Sequence, residues 1–380
     1  WEAGWTVPAE STVWPIPNRA RNESHADDRR SRRSVRDGSW LGDCMDNTTL
    51  MMQPSAEEAQ PPAADMKAPR LVSRQSESLL QVVDVAAVEE LPHPFLNGTP
   101  RPQLLDWVKM ILLLPLALVR VILIVAMVLI AAPFAYLALC GYDPGPDPLL
   151  PNPLPCWRKA LFLPIRFATR GMLFCFGYMW IPVKGRKAPA TEAPLLVPNH
   201  LGAIEPFYLM CRYGVSHVAK ADTINTPIMG VLAKGMLQIF VRRSADDKPT
   251  PGDGTLAARD TAAAIEKRAQ NMGAGGYPTL ALYPEATTTN GRCLLNFKTG
   301  AFRPGCPVQP CIIKHPYCWF DPTMSEGKTY YYWRLLTQCY NTMTVEFLPT
   351  IVPTAEEQHD AVLFATRVRR EMAEASGLQL

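Results

Sequence analysis

The sequence lacks the patterns that mark several common classes of protein. Its ten cysteines include no C-x-x-C pair, and their scattered spacing favours reduced thiols over a disulfide framework. No G-x-S-x-G elbow occurs, which disfavours a soluble hydrolase. Lysine and arginine (38 residues) nearly balance aspartate and glutamate (35), which leaves a formal net charge of +3. Because the basic residues form no stripe interleaved with aromatic residues, we expect no nucleic-acid partner.

One small group of potential metal ligands has no regular spacing. Cys306, Cys311, His315 and Cys318 lie close together in the chain, within proline-rich strand sequence. Their intervals match no established zinc pattern. We therefore expect buried, inert cysteines here and no bound metal.

The first hundred residues are polar and rich in proline, without a sustained helical or strand period. This composition predicts a disordered N-terminal tail over residues 1–100. Three glycosylation sequons, which matter only if the tail is lumenal, begin at Asn22, Asn47 and Asn97. The chain starts with Trp1 instead of Met, so we expect the sequence to be a piece of a longer protein.

A long apolar segment follows the tail. From Val108 to Cys140 the only charged residues are Lys109 and Arg120, and Val121–Cys140 has none. About 20 such residues suffice for a helix to cross a bilayer, so we predict a membrane anchor. Two proline residues and Arg120 leave two geometries open. We favour a single span over Val121–Cys140 preceded by an interfacial helix, and the alternative is a re-entrant hairpin.

The stretch Trp157–Trp180 mixes aliphatic and aromatic residues with four basic ones. This pattern predicts a helix that lies in the membrane interface, or an amphipathic helix packed on the following domain, and both descriptions can hold together. Residues 101–185 are therefore interpreted as membrane-anchoring and interfacial helices. Lysine and arginine are denser after the apolar segment than before it, which weakly favours a cytosol-facing catalytic domain.

Residues 186–380 have the alternating pattern of an α/β domain. Asp260–Asn271 and Asp360–Ala375 have helical spacing. Short apolar runs bounded by proline or glycine predict buried strands at Leu195–Val197, His217–Lys220, Ile239–Val241, Thr279–Tyr283, Val308–Ile313 and Thr344–Leu348. Strands that alternate with helices indicate a mixed sheet covered by helices.

The clearest candidate for chemistry is the motif Asn199–Pro206, which directly follows the first of these strands. His200 leaves the strand end in a short loop, where a histidine is well placed to act as a general base. Glu205 is close enough in sequence to hydrogen-bond the other ring nitrogen and to stabilise the imidazolium. Without other support, a structural histidine is the more ordinary interpretation of this pattern.

Four sequence blocks in order give that support. His200 with Glu205 resembles the H-x4-D motif of the glycerolipid acyltransferase family, which includes lysophosphatidic acid and lysophosphatidylcholine acyltransferases. The other blocks resemble the family's second motif, its F-P-E-G-T-x-(S/T)-N motif with the F-K-x-G-A-F that continues it, and its fourth motif. They lie at Phe240–Ser244, Tyr283–Asn290, Phe297–Phe302 and Pro307–Pro310. The resemblance extends from about residue 104 to 375.

The resemblance implies the family's α/β fold and a lysophospholipid acyltransferase that uses acyl-CoA as co-substrate, with no bound cofactor. It implies that His200 is the general base, oriented by Glu205, and that no acyl-enzyme intermediate is required. The implied substrate-binding residues are Arg243, Glu285, Thr287, Asn290 and Lys298. Of these, Arg243 would hold the acceptor phosphate, with Arg242 and Arg292 as second choices. The implied partners are acyl-CoA, a lysophospholipid and membrane lipids, and the family's usual home is the endoplasmic reticulum; no protein partner is indicated.

Two residues depart from the family's pattern. Glu205 stands where most relatives have Asp, which keeps the carboxylate but moves it by one methylene. Ala286 stands where the third motif has Gly, and this is unfavourable if the position needs a positive φ. These departures leave a second hypothesis open, a non-catalytic lipid-binding or scaffold protein that retains the fold. Within the enzyme hypothesis the acceptor also stays open among lysophosphatidylcholine, lysophosphatidic acid, lysophosphatidylethanolamine and glycerol 3-phosphate.

Overall fold

A computed structural model describes residues 93–226, 229–242, 255–256, 258–325 and 330–380. Most of the predicted tail lies outside these ranges, including the sequons at Asn22 and Asn47. The third sequon is inside them. The Asn97 side chain is buried and donates hydrogen bonds to the backbone oxygens of Asp321 (3.2 Å) and Thr323 (3.0 Å). The boundaries of the three predicted regions stay predictions.

Among the described residues, one sheet of eight strands organises the domain, in the order β1-β8-β7-β2-β6-β3-β4-β5. Only the β7–β8 pair is antiparallel, and the other pairs are parallel. The strands are β1 Val183–Lys184, β2 Leu195–Pro198, β3 Ser216–Lys220, β4 Ile239–Val241, β5 Thr255–Leu256, β6 Leu280–Ala281, β7 Val308–Lys314 and β8 Thr344–Phe347. The mixed sheet predicted from the sequence is confirmed, and β1 and β5 are additions to it.

The central strand β2 shows why these apolar runs form a covered sheet. All four of its residues are buried, and Leu195 pairs with Leu280 on one side and Val308 on the other. Leu195 and Val197 belong to one hydrophobic cluster, whereas Leu196 belongs to another. Because alternate side chains of a strand point to opposite faces, the sheet has a core on each face.

Nine helices cover the sheet or precede it in the described part of the chain. They are α1 Leu104–Leu112, α2 Leu114–Leu139, α3 Cys156–Ala160, α4 Phe162–Cys175, α5 Ile204–Tyr213, α6 Met229–Gly235, α7 Ala258–Gly275, α8 Tyr331–Leu336 and α9 Ala361–Ser376. Short 3-10 turns lie at Ala221–Asn225 and Thr299–Ala301. Two of the α-helices, α7 and α9, correspond to the helices predicted over Asp260–Asn271 and Asp360–Ala375.

Within the described ranges, α2 is the one helix long and apolar enough to cross a membrane. It has 26 residues and begins seven residues before the predicted span; Pro133 lies inside it. Large apolar side chains such as Ile122, Leu129 and Ile130 are exposed on its surface. The preceding helix α1 also exposes leucines, as expected of an interfacial helix.

Arg120 in α2 is paired with backbone oxygens. Its side chain is buried, and Nη1 donates to the oxygens of Leu336 (2.6 Å) and Gln338 (2.5 Å). Nη2 donates to the oxygen of Cys339 (3.1 Å). These oxygens lie at and beyond the C-terminus of α8, where helices leave carbonyl groups without intrahelical partners. The arginine therefore joins the apolar helix to the α/β domain, and its charge faces the negative end of α8.

The basic stretch predicted as one helix over Trp157–Trp180 consists of two helices, α3 and α4, and α4 ends at Cys175. Arg166 of α4 donates to the backbone oxygens of Cys211 and Arg212, both at 2.7 Å, at the C-terminal end of α5. Because α5 carries Glu205 in its first turn, this contact fixes the helix that positions the site.

Candidate active site

His200 emerges where β2 ends at the carboxyl edge of the parallel strands, which is the usual location of sites in open α/β sheets. Its backbone N–H donates to Glu285 Oε1 (3.0 Å), and its backbone oxygen accepts from the N–H of Thr289 (2.9 Å). Its side chain is about a quarter exposed, 23%. The loop that contains His200 is thus held from the Tyr283–Asn290 segment, while the imidazole stays accessible.

Glu205 lies in the first turn of α5 and is almost completely buried. Its Oε2 accepts from the backbone N–H of Gly202 (2.8 Å) and lies 3.9 Å from His200 Nδ1. The second distance is that of an ion pair and is longer than a hydrogen bond; such catalytic contacts often shorten only when substrate binds. The predicted pair of His200 and Glu205 is therefore brought together in space.

His315 is the functional neighbour that sequence reasoning missed. Its Nε2 lies 2.7 Å from Glu205 Oε1, and both side chains are 1% exposed. Burial by itself raises the pKa of Glu205, but the hydrogen bond and charge of His315, together with the charge of His200, outweigh burial and lower this pKa. Glu205 therefore stays ionised between two histidines. A usable signal was the position of His315 directly after β7, at the same sheet edge as His200.

A ring and a second carboxylate complete the surroundings of His200. The Tyr283 ring centroid is 4.2 Å from that of His200, and the planes are tilted by 31°. Glu285 is buried, and its Oε2 accepts from the backbone N–H of Leu295 (3.3 Å). Burial raises the pKa of Glu285 to about 7, against the opposing effects of its two backbone donors and Arg369. The contacts of Glu285 are with backbone groups that shape the site.

A third loop lies against the His200 loop from the other side. The backbone N–H of Met324 donates to the oxygen of Leu201 (2.7 Å), and Thr288 Oγ1 donates to the oxygen of Met324 (2.8 Å). A Cβ on Gly202 would lie 3.2 Å from Met324 Cγ. Glycine at position 202 therefore permits this close approach, and it leaves the Gly202 N–H directed at Glu205.

Three of the four remaining predicted substrate-binding residues lie within the described ranges. Arg243 lies outside the described residues. Thr287 and Lys298 are exposed, and the Lys298 N–H donates to the backbone oxygen of Pro284 (2.8 Å). Asn290 donates through Nδ2 to the backbone oxygens of His93 (2.8 Å) and Leu96 (2.9 Å). The side chain of Asn290 therefore holds the segment of residues 93–96, which precedes α1.

Ala286 has φ +59°, in the left-handed region that favours glycine. Its N–H donates to the backbone oxygen of Tyr283 (3.1 Å), which closes a turn, and its side chain is exposed. Position 286 therefore has the positive φ at which alanine is less favourable than glycine.

The cysteine cluster is only partly as predicted. Cys311 is buried in β7 as predicted, whereas Cys306 is half-buried, and burial raises the pKa of the Cys306 thiol to about 12. Cys318 is exposed, and the prediction of a buried thiol is wrong there because the chain has already left the sheet. No group of three or more His, Cys, Asp or Glu side chains suited to a metal occurs among the residues that the structure describes.

Comparison with known proteins identifies sequence relatives of this domain. The sequence model of the Acyltransferase family matches residues 181–314, which contain His200, Glu205 and Glu285. Lysophospholipid acyltransferase LPEAT2 of Arabidopsis thaliana is 32% identical over 282 residues, which are 74% of this chain and 49% of that protein. The matched domain belongs to the glycerolipid acyltransferase family. Lysophosphatidylcholine acyltransferase 1 of Danio rerio is 36% identical over 273 residues, 69% of this chain and 48% of the relative.

The chain spans about half the length of the curated relatives that it matches. Among solved structures, the 1-acyl-sn-glycerophosphate acyltransferase PlsC of Thermotoga maritima aligns with a TM-score of 0.46 at 14% identity. The alignment covers 72% of this chain and 99% of PlsC.

Proposed function

We propose that this protein is a lysophospholipid acyltransferase that transfers a fatty acyl group from acyl-CoA to the free hydroxyl of a lysophospholipid. The observation that carries the proposal is the arrangement of His200 at the sheet edge with its Nδ1 facing the buried, ionised Glu205. The relatives named as lysophospholipid and lysophosphatidylcholine acyltransferases support the substrate class.

The proposed chemistry begins with the acceptor hydroxyl, which is a poor nucleophile at neutral pH. Because Nδ1 of His200 faces Glu205, Nε2 is the nitrogen on the side of the ring away from the carboxylate. Nε2 takes the hydroxyl proton as the oxygen attacks the thioester carbonyl carbon, and Glu205 stabilises the imidazolium. The new C–O bond forms, the C–S bond breaks, and the imidazolium returns its proton to the departing CoA thiolate. No acyl-enzyme intermediate and no bound cofactor take part.

The proposed acceptor site lies beside His200 and draws on the loop residues predicted from the resemblance. Arg243 is proposed to hold the acceptor phosphate, with Thr287 and Lys298 on the exposed side of the site. Glu285 contributes by holding the His200 backbone, and Asn290 by holding the segment of residues 93–96. The tetrahedral oxyanion needs hydrogen-bond donors, which we assign to backbone N–H groups of these loops.

The apolar helix α2 suggests where the reaction takes place. We propose that α2 anchors the protein in the endoplasmic reticulum membrane and that the catalytic domain faces the cytosol. Acyl-CoA is then supplied from water, while the lysophospholipid and the product stay in the bilayer. The exposed apolar surfaces of α1 and α2 support this placement.

The proposal is tested with membranes that contain the protein, supplied with labelled oleoyl-CoA and a panel of acceptors. The panel contains lysophosphatidylcholine, lysophosphatidylethanolamine, lysophosphatidic acid and glycerol 3-phosphate. Membranes without the protein are the control, and a labelled phospholipid offered without CoA tests for a transacylase. Protein-dependent labelled product from oleoyl-CoA supports the proposal and names the acceptor. Folded, membrane-bound protein that yields no product with any acceptor refutes it and favours a lipid-binding role.

A further inference from the structure

The carboxylate of Glu205 is shared between two histidines. Oε2 faces His200 and accepts from the Gly202 N–H, whereas Oε1 contacts His315 Nε2 at 2.7 Å. The contact joins residues 110 positions apart and lies in the buried interior. Among these contacts the pair Glu205–His315 is the shortest, shorter than the 3.9 Å that separates Glu205 from His200.

His315 is itself held from two directions. Its Nδ1 lies 3.2 Å from the backbone oxygen of Thr342 and 3.4 Å from the hydroxyl of Tyr178. The Tyr178 ring meets the imidazole edge-on, with centroids 5.7 Å apart. His315 directly follows β7, and Thr342 lies just before β8, which pairs with β7 in antiparallel register. The imidazole is therefore attached to the rigid sheet.

Hydrogen-bond chemistry fixes the direction of the Glu205 contact. An ionised carboxylate only accepts hydrogen bonds, so Nε2 of His315 carries a proton and donates it to Oε1. The Tyr178 hydroxyl is able to donate to Nδ1, and a protonated Nδ1 is able to donate to Thr342. In either case Nε2–H remains the donor to Glu205. Without this donor, Oε1 loses its 2.7 Å contact, while the Gly202 N–H still donates to Oε2.

We propose that His315 is a positioning residue for acyl transfer. Its Nε2–H holds Oε1 of Glu205, which keeps Oε2 turned toward Nδ1 of His200 and keeps that carboxylate ionised. His315 acts through Glu205 and does not contact the reacting atoms. The inference rests on the proposed function, since it names a further residue of the same site. Mutation of a residue that orients a functional group commonly lowers activity by about 10- to 100-fold.

The test uses two amide substitutions with matched chemistry. In His315→Gln the amide nitrogen takes approximately the place of Nε2 and still reaches Glu205. In His315→Asn the shorter side chain places its amide near Nδ1, so the bond to Glu205 is lost. Both variants are neutral amides, so comparable thermal unfolding of the two variants shows that a difference in rate is not a difference in folding.

The expected result concerns kcat and its pH dependence, measured with oleoyl-CoA and the preferred lysophospholipid. His315→Asn should lower kcat about 10- to 100-fold with little change in KM. On acidification, this variant should lose activity at a higher pH than wild type, because the Glu205 carboxylate is protonated more readily without the donor. His315→Gln should stay within about threefold of wild type. In a Glu205→Gln background, His315→Asn should cause little further loss, because its effect passes through the carboxylate.

Two outcomes would overturn the inference. One is a His315→Asn variant with the kcat and pH profile of wild type. The other is the same fold-loss from His315→Asn in the presence and absence of the Glu205 carboxylate, which would indicate a structural role only. Inactive wild-type protein would instead refute the proposed function. The two failures are therefore distinguishable.

Discussion

Replacing Ala286 with glycine should stabilise the protein. Ala286 has φ +59°, and a left-handed conformation costs an L-residue about 1–2 kcal/mol. Glycine removes this strain but adds about 0.5–1 kcal/mol of conformational entropy to the unfolded chain. The Ala286 side chain is exposed, so its removal loses little packing. The expected net gain in the free energy of unfolding is about 0.5–1 kcal/mol, which corresponds to about 1–3 °C in Tm for a domain of this size.

The assay is thermal unfolding of detergent-solubilised protein, with Gly214→Ala as the matched control. Gly214 ends α5 with φ +65°, and a Cβ added there meets no heavy atom within 4 Å. The control therefore introduces the same backbone strain in open space, and its Tm should fall by a similar amount. A lower Tm for Gly214→Ala together with an unchanged or lower Tm for Ala286→Gly would refute the strain at Ala286.

Three other substitutions have defined outcomes. Arg120→Met should lower the free energy of unfolding by about 1–3 kcal/mol in a denaturation assay, because it leaves three backbone carbonyl groups without this donor. An unchanged value would contradict the role of Arg120 in joining α2 to α8. Glu205→Asp retracts the carboxylate by about 1.5 Å and should lower kcat about tenfold through loss of the His315 contact. A kcat equal to that of wild type would show that this contact is dispensable. The raised pKa of Glu285 gives a stability contribution that is complete below its unfolded value near 4.3 and is lost as the pH rises through about 7. The Tm of wild type relative to Glu285→Gln should therefore decrease between pH 5 and pH 8, and a constant difference would contradict the raised pKa.

The sequence predicted the central part of the fold because local signals there agree with the tertiary structure. The six predicted strands carry apolar residues that are buried in the sheet, and each ends near proline, glycine or a polar loop. Strands β1 and β5 were missed because each has only two residues, which is too short to show the alternating pattern of a strand. Their existence depends on pairing with β8 and β4, which lie elsewhere in the sequence.

Part of the candidate site was predictable for a similar reason. His200 and Glu205 are five residues apart, so a strand followed by a helix brings them together whatever the rest of the chain does. His315 was considered only as a metal ligand beside cysteines. Its contact with Glu205 requires β7 to lie next to β2, and that pairing is a property of the whole sheet.

The partners of two polar residues were also not readable from sequence. Arg120 in the apolar segment indicated an unusual burial, but its partners lie more than 200 residues later in the chain. Asn97 had the form of a glycosylation site, yet its amide nitrogen is buried against Asp321 and Thr323. The folded domain therefore has no room for a glycan at Asn97, and a glycosylation map of membrane topology has to rely on Asn22 or Asn47.

The central claim is that His200 is the general base for acyl transfer, and its removal is the most direct test. The measurement is the initial rate of product formation from oleoyl-CoA and the preferred lysophospholipid by His200→Ala and wild-type membranes at equal protein content. His359→Ala, which removes an exposed histidine that contacts the backbone oxygen of Ala355, is the matched control. We predict a loss of about 10²- to 10⁴-fold for His200→Ala with unchanged Tm, and wild-type activity for the control. Equal rates for His200→Ala and wild type would contradict the account.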